Sequence, residues 1–569
     1  MDWKTTNKQL KAIALNREYQ LLALIVLFGV ALSLSLMKGV SFYGDDISYT
    51  AFVPSVLNGT FSENINIFSL RLGVLYPLAA SIAIFGYNDL GAGAWALFAY
   101  AITMVIIYLI GKELHGGKAG LLSAALFAVY PLALKFNTSP DPMLPLVMFL
   151  SLSMLLFVYG RKSRKIGFFI LSGISAFVGT LINPLAYLYF VFYAFYIVAE
   201  GMFTTIKTRK VTFDYAAVAV FIGLLTGIAI MGYINIPLAH GKPFFEINMT
   251  NNYYSAAGGP DQIFYTNPSL TFYIDGYFPY GFVQNLIVPL IHLNVGSFVR
   301  NARQLFESMF SLYDINLNSV GLFSYAVVLA GIWLLAINDK KSRFMLLWGA
   351  FLVGYMEFGS MSVTHYFPIY KLMRFTAIAA APLMLILGAA LSEFISHAKR
   401  KRGYEKNFRI IIVIAIIVFL FATSYQIDNY YYLFNHNSMQ YVKTVASELK
   451  SISPAGSVDL YAPALVPYYI QYYMGYPATM QAYEYDNGAY GGLFMPSCSD
   501  IPSNSYLLIP SASAIETINS YNLWSINETW AYDPSECNLT LVADNYANVS
   551  LQNLQILDPT YGGNLYYNK

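Results

Sequence analysis

Two adjacent carboxylates, Asp45 and Asp46, lie in the string FYGDDISY (42–49), shortly past an apolar run of membrane length. A third acid, Asp141, stands between two prolines in SPDPMLP. A carboxylate beside a membrane surface can act as general base toward a hydroxyl, or can hold a divalent metal ion. Partial burial next to a second carboxylate raises one of the two pKa values and assists base chemistry. Cations of complementary use come later. Lys371 and Arg374, spaced i, i+3, share a face of one helix end and can neutralise a phosphate. The same pair also reads as side chains reaching toward the interface. His365 offers a proton carrier or a polar contact. The acids have ordinary readings too: solvated loop residues for Asp45 and Asp46, a turn residue ahead of a helix for Asp141.

The elements that must position these groups are membrane helices. Of 569 residues, 57% are hydrophobic and only 11% charged, against about 25% charged in a soluble domain. Mean hydropathy is +0.50. The net charge of +2 implies no nucleic-acid partner. Apolar runs predict eleven spans, at roughly 20–37, 90–110, 119–134, 143–160, 166–182, 184–200, 213–233, 319–337, 343–359, 375–396 and 408–424. Basic clusters follow the second, fourth, sixth, eighth and tenth spans, and Lys4, Lys8, Lys11 and Arg17 precede the first. All fall on one side if the N-terminus is cytoplasmic. That parity holds only if 71–86 (RLGVLYPLAASIAIFG) lies in the outer interface instead of crossing, and 282–296 is read the same way.

Three regions are then external: loop 38–89, loop 234–318 and the tail, with a domain boundary at 425/426. The tail holds twelve acidic residues against Lys443, Lys450 and Lys569. It reads as a small α/β domain, with a helix over 438–450 and buried strands at 457–462 (SVDLYA) and 505–510 (SYLLIP).

Phe42, Asp45, Asp46 and Tyr49, followed by Leu57 and Gly59, form F-x-x-D-D-x-x-Y with a later L-x-G. This resembles the opening of the dolichyl-phosphate-mannose protein mannosyltransferase superfamily, F-x-x-D-E-x-x-Y with a later L-x-x-G, which the lipid A aminoarabinose transferases share. RLGVLYPL, IFGYNDLGA (84–92), SPDPMLPLVMFLSL (139–152) and YKLMRFTAIAAAPLMLILGAAL (370–391) resemble further family segments in the same order. The resemblance covers about residues 1–425. It implies a GT-C glycosyltransferase that moves a sugar, mannosyl or another hexosyl, from a polyprenyl (dolichyl) phosphate carrier to an acceptor hydroxyl at the outer face, with inversion. It implies Asp45 as base, Asp46 where the family has Glu, Asp141 as second acid, and Arg71 at the position meeting the donor phosphate. Tyr49 and His365 are candidate substrate contacts. Implied partners are the bilayer, a lipid-linked donor, and an acceptor that is protein, glycan or lipid.

Other classes remain in view. A transporter or flippase of lipid-linked sugars would carry ionisable or broken-helix features at mid-membrane, and the span interiors are nearly free of charge. An oligosaccharyltransferase of the same superfamily would carry W-W-D-Y-G, and WAYDP (530–534) departs from it at the second Trp, the order and the Gly. An inert surface-layer anchor would not need eleven spans. Cys498 and Cys537, the only cysteines, both lie in the tail, where an external location predicts a disulfide. Six N-x-S/T sequons, at Asn58, Asn137, Asn248, Asn527, Asn538 and Asn548, all fall outside on this topology. A tail poor in Lys and rich in Tyr, Asn and Ser suggests an archaeal surface.

Overall fold

The computed structural model describes residues 17–40, 46–61, 68–69, 71–208, 215–238, 294–297, 299–300, 315–337, 340–358, 377–397, 403–452, 458–462, 466–476, 480–484, 503–510, 539–543 and 563–568. Its helices are α1 Arg17–Ser35, α2 Asp46–Leu57, α3 Leu72–Phe85, α4 Asp89–His115, α5 Gly117–Ala128, α6 Pro131–Phe136, α7 Met143–Ser163 and α8 Ile166–Thr180. They continue as α9 Tyr187–Thr208, α10 Tyr215–Leu238, α11 Ile315–Ile337, α12 Lys340–Phe358, α13 Ala380–His397 and α14 Gly403–Ile452. All eleven expected spans coincide with helical segments. Six helices among the described residues are long and apolar enough to cross a membrane, and five shorter apolar helices accompany them, Leu72–Phe85 among these.

Two expectations change in detail. The third span, expected as one run over 119–134, is broken into α5 and α6. Pro131 is the cause: it has no N–H to donate, and it holds the preceding Tyr130 in an extended conformation (ψ 127°). The eleventh span and the expected helix 438–450 are one helix of 50 residues. No proline interrupts it, and its only glycine is the first residue, Gly403.

The chain divides into two compact units: 1–36, 61–74 and 95–428 in the first, and 37–60, 75–94 and 429–569 in the second. In the first unit, α7 and α13 are mostly buried, whereas α1 and α14 expose Leu24, Leu27, Ile411 and Val418. Apolar side chains on an outer helix face suit lipid. α8 and α10 cross closely at Gly173 and Gly223, where a Cβ on Gly173 would lie 2.9 Å from the Gly223 Cα. An aromatic cluster packs α7, α9 and α12, with Phe157 stacked on Tyr193 at 4.8 Å and Phe192 against Phe351 at 5.4 Å.

Ion pairs gather one end of this unit. Lys112, in the last turn of α4, meets Glu18 in the first turn of α1 at 2.9 Å. Lys162, at the end of α7, meets Glu113 at 2.7 Å. Lys341, in the first turn of α12, donates to the Glu113 carbonyl at 3.4 Å. Arg161 pairs with Glu200 of α9. The basic clusters at 112, 161–162 and 341 therefore share an end. The first turn of α1 and the last turn of α4 both lie at this end.

The second unit contains β1 Val458–Ala462, α15 Val466–Met474, β2 Met480–Glu484, β3 Ser505–Pro510, β4 Leu539–Ala543 and β5 Gly563–Asn568. They make one five-stranded sheet of order β2-β1-β3-β5-β4. β1 pairs in parallel with β2 and β3, while β5 is antiparallel to β3 and β4. α15 is the crossover that a parallel β1–β2 pair needs. Both strands expected from the sequence are present, and Val458, Leu460 and Ala462 alternate inward along β1.

Candidate functional site

Asp46 is the first residue of α2 and is buried, and Tyr49 one turn later is fully buried. With Thr50 and Val53 they occupy the inward face at i, i+3, i+4 and i+7, so D-x-x-Y places acid and phenol on one helix face. The first turn is also where the helix dipole favours a negative charge. Asp45 and Phe42 lie outside the described residues, as do Lys371, Arg374, His365, Cys498 and Cys537.

Within the same unit, IFGYNDLGA forms a corner between α3 and α4. Gly86 ends α3 with φ +83°. Asn88 caps α4: its Oδ1 accepts from the Gly91 N–H at 2.9 Å, and its Nδ2 donates to the Phe85 carbonyl at 2.6 Å. A Cβ at Gly91 would lie 1.9 Å from the Gly86 oxygen, so only glycine closes this corner.

Asp89, next to the cap, is held on both carboxylate oxygens. Lys443 of α14 donates to Oδ2 at 2.7 Å, and the Tyr473 hydroxyl of α15 donates to Oδ1 at 2.8 Å. The Lys443 ammonium also lies 5.1 Å from the Tyr473 ring centroid. Tyr472 donates to the Asn88 carbonyl at 2.9 Å, and Tyr87 packs edge-on against Tyr472 and Tyr476. Gly39, at φ +66°, sits against Asp89 so closely that a Cβ would come within 2.4 Å of Oδ1. Burial, and then the Asp89 charge, pushes the Tyr473 hydroxyl well above the ordinary phenol range. Burial likewise raises Tyr472, Tyr476 and Tyr87. These phenols thus remain neutral donors at physiological pH. Neither Lys443 nor Tyr473 stands out in the sequence. They lie 354 and 384 residues from Asp89, and no local pattern joins positions so far apart.

In the first unit, Arg71 is buried immediately ahead of α3, its guanidinium 5.9 Å from the Phe68 ring centroid. Asp141 is buried as well, and its Oδ1 accepts from the Met143 N–H at 2.8 Å. That bond satisfies one of the unpaired donors at the start of α7, the turn role considered for this residue. The whole stretch 137–141 is buried. Asn137 donates from Nδ2 to the Ser33 hydroxyl at 2.6 Å, and Ser33 donates in turn to the Gly29 carbonyl at 2.7 Å. The amide of the Asn137 sequon is therefore used inside the unit, against α1. Asp46 and Tyr49 thus belong to the second unit, and Arg71 and Asp141 to the first. Among the described residues no group of three or more His, Cys, Asp or Glu forms a metal-ligand set.

The family model for dolichyl-phosphate-mannose-protein mannosyltransferase matches residues 72–228. No curated protein sequence matches the chain. The apo oligosaccharyltransferase of Archaeoglobus fulgidus is similar in structure, with TM-score 0.52 and 11% identity, over 88% of this chain and 71% of that one. ArnT from Cupriavidus metallidurans in the apo state has TM-score 0.51 and 10% identity, over 96% of this chain and 97% of that one. ArnT bound to undecaprenyl phosphate gives TM-score 0.50 and 8% identity, over 96% of this chain and 97% of that one. The chain is thus a multi-pass membrane protein that shares the fold of these two proteins, and its segment from α3 to α10 matches the mannosyltransferase family model.

Proposed function

We propose that this chain transfers a sugar from a polyprenyl-phosphate carrier to an acceptor hydroxyl at the outer face of the membrane, inverting the anomeric carbon. The observation that carries the reading is the family match over 72–228 within a GT-C fold. ArnT, matched over nearly its whole length, is a protein seen with undecaprenyl phosphate. The family description supports mannose as the sugar and dolichol as the carrier lipid; the ArnT likeness supports undecaprenol equally.

Asp45 takes the proton from the acceptor hydroxyl as that oxygen attacks the anomeric carbon. The bond from carbon to phosphate oxygen breaks on the opposite side, and the carrier phosphate departs as an anion. Arg71, Lys371 and Arg374 offset its charge. A buried guanidinium such as Arg71 suits this task, because it stays protonated and presents a planar fork of donors. Asp46 and Asp141 position the acceptor or the base.

The basic ends gathered by Glu18 and Glu113 support a cytoplasmic location for that end. The tail is then external, and Cys498 and Cys537 pair there. Such a bond closes a loop of about 39 residues and stabilises by about 3–4 kcal/mol in the chain-entropy model. Non-reduced peptide mapping by mass spectrometry checks it; two free thiols under oxidising conditions would count against an external tail.

A second reading, oligosaccharyl transfer, is favoured by the likeness to the Archaeoglobus enzyme over 88% of this chain. The departure of WAYDP from W-W-D-Y-G weighs against it. One experiment separates the two. Protein in proteoliposomes is given either polyprenyl-phosphate hexoses or a polyprenyl-diphosphate oligosaccharide, and labelled product and released carrier are measured. Transfer from the monophosphate donors, lost in Asp45→Asn, is expected. Transfer from the diphosphate donor alone would select the second reading, and carrier translocation without transfer would indicate a flippase.

A further inference from the structure

We propose that Asn58 is an N-glycan attachment site, modified by a separate oligosaccharyl transferase of the same membrane. The proposal rests on the outward orientation of 38–89.

The sequon Asn58-Gly59-Thr60 follows the last residue of α2. The Thr60 N–H donates to the Ser55 carbonyl at 2.9 Å, and the Gly59 N–H to the Val56 carbonyl at 3.3 Å. Gly59 has φ +68°. This is the Schellman ending of a helix, with glycine at the left-handed position. It has two consequences for the sequon. The backbone donors of Gly59 and Thr60 are already satisfied, so the turn holds its shape whatever the side chains carry. Residues 57–60 are exposed, and a Cβ built at Gly59 meets nothing within 4 Å. Among the described residues, the Asn58 side chain thus has room for a bulky, solvated group. The Thr60 hydroxyl has only a long contact to the Ser55 carbonyl, at 3.5 Å, which is at the limit of a hydrogen bond.

Asn137 is the other sequon among the described residues, and it is a control built into the same chain. Its Nδ2, the atom that would carry the sugar, is buried and donates to Ser33. A glycan there would replace one hydrogen of this buried amide and force a sugar into packed side chains. The geometry thus separates two sequons that the sequence alone treats alike.

The donor required is a polyprenyl-phosphate- or diphosphate-linked oligosaccharide. The Asn58 amide nitrogen forms a bond to its anomeric carbon, and the bond from that carbon to the carrier's phosphate oxygen breaks, leaving the electron pair on phosphate. One amide proton passes to a base of the transferring enzyme.

The test is intact-glycopeptide mass spectrometry on the full chain purified from membranes of its own source, with Thr60→Ala and Asn58→Cys variants. The expected result is an oligosaccharide on Asn58, its loss in Thr60→Ala, and an unmodified Asn137. In parallel, the Asn58→Cys peptide is examined after treating intact cells with a membrane-impermeant maleimide. Unmodified Asn58 with labelling from outside would overturn the glycan while leaving the orientation standing. Unmodified Asn58 with labelling only after permeabilisation would overturn both. Glycan at Asn137 would overturn the accessibility argument.

Discussion

Asp46 and Asp141 are both buried acids at the start of a helix, yet their surroundings differ. Asp141 spends one oxygen on the Met143 N–H and belongs to a wholly buried stretch that leads into α7, a core helix of the first unit. Asp46 is itself the first residue of the shorter α2, in the second unit, and shares its inward face with Tyr49. The Met143 bond gives Asp141 a duty at the helix start that stability measurements can read, whereas the chemistry proposed for the pair at 45–46 is read through turnover.

The largest expected effect is at that pair. Asp45→Asn should lower transfer by about 10²–10⁴-fold, the usual contribution of a general base, with unchanged expression and thermal stability. A variant that turns over normally would remove Asp45 from the mechanism. Asp46→Asn should impair transfer less.

Arg71→Ala should come next. A charge-assisted contact is worth about 1.5–3 kcal/mol, so apparent affinity for the lipid donor should fall by roughly 10–150-fold while acceptor affinity holds. Equal losses for donor and acceptor would speak against a phosphate role.

Asp141 sharpens the comparison most directly. Asn replaces Asp well as a helix-capping acceptor and Ala does not; losing such a contact costs about 1 kcal/mol. Asp141→Ala should therefore lower both the thermal midpoint and activity, and Asp141→Asn activity alone. If Asp141→Asn retains full activity, the charge of this carboxylate plays no part in transfer.

The smallest effect is expected at Lys443. Its pair with Asp89 is about one-third exposed on each side, and exposed pairs are worth about 0–1 kcal/mol. Lys443→Met should shift the thermal midpoint slightly, and Tyr473→Phe by a similar amount. A loss of several kcal/mol would mean that the corner is a keystone of the second unit.

What was legible in the sequence was whatever short-range physics controls. Apolar runs located the membrane helices, alternation located β1 and β3, and Pro140-Asp141-Pro142 already contained the turn role that the Met143 bond fulfils. Tyr130-Pro131 carried the signal for the broken third span, but a strong hydropathy run masked it. The continuity of α14 needed attention to an absence, the lack of any breaker between its membrane part and the tail. The burial of Asn137 and the grip of Lys443 and Tyr473 on Asp89 had no local signature, since each depends on side chains meeting across one hundred to nearly four hundred residues.

That separation along the chain has a consequence for biogenesis. Asp89 leaves the ribosome 354 residues before Lys443. At about 5–20 residues per second, the interval is on the order of 20–70 s. Throughout it, the corner at Asn88-Asp89 is complete in its own capping bonds but has no partner from α14 or α15. A nascent chain stopped before Lys443 carries α2, α3 and the start of α4 without that grip. The second unit therefore matures only after the last membrane helix has been synthesised, and a quality-control protease that recognises the exposed corner would act on truncated chains and spare finished ones.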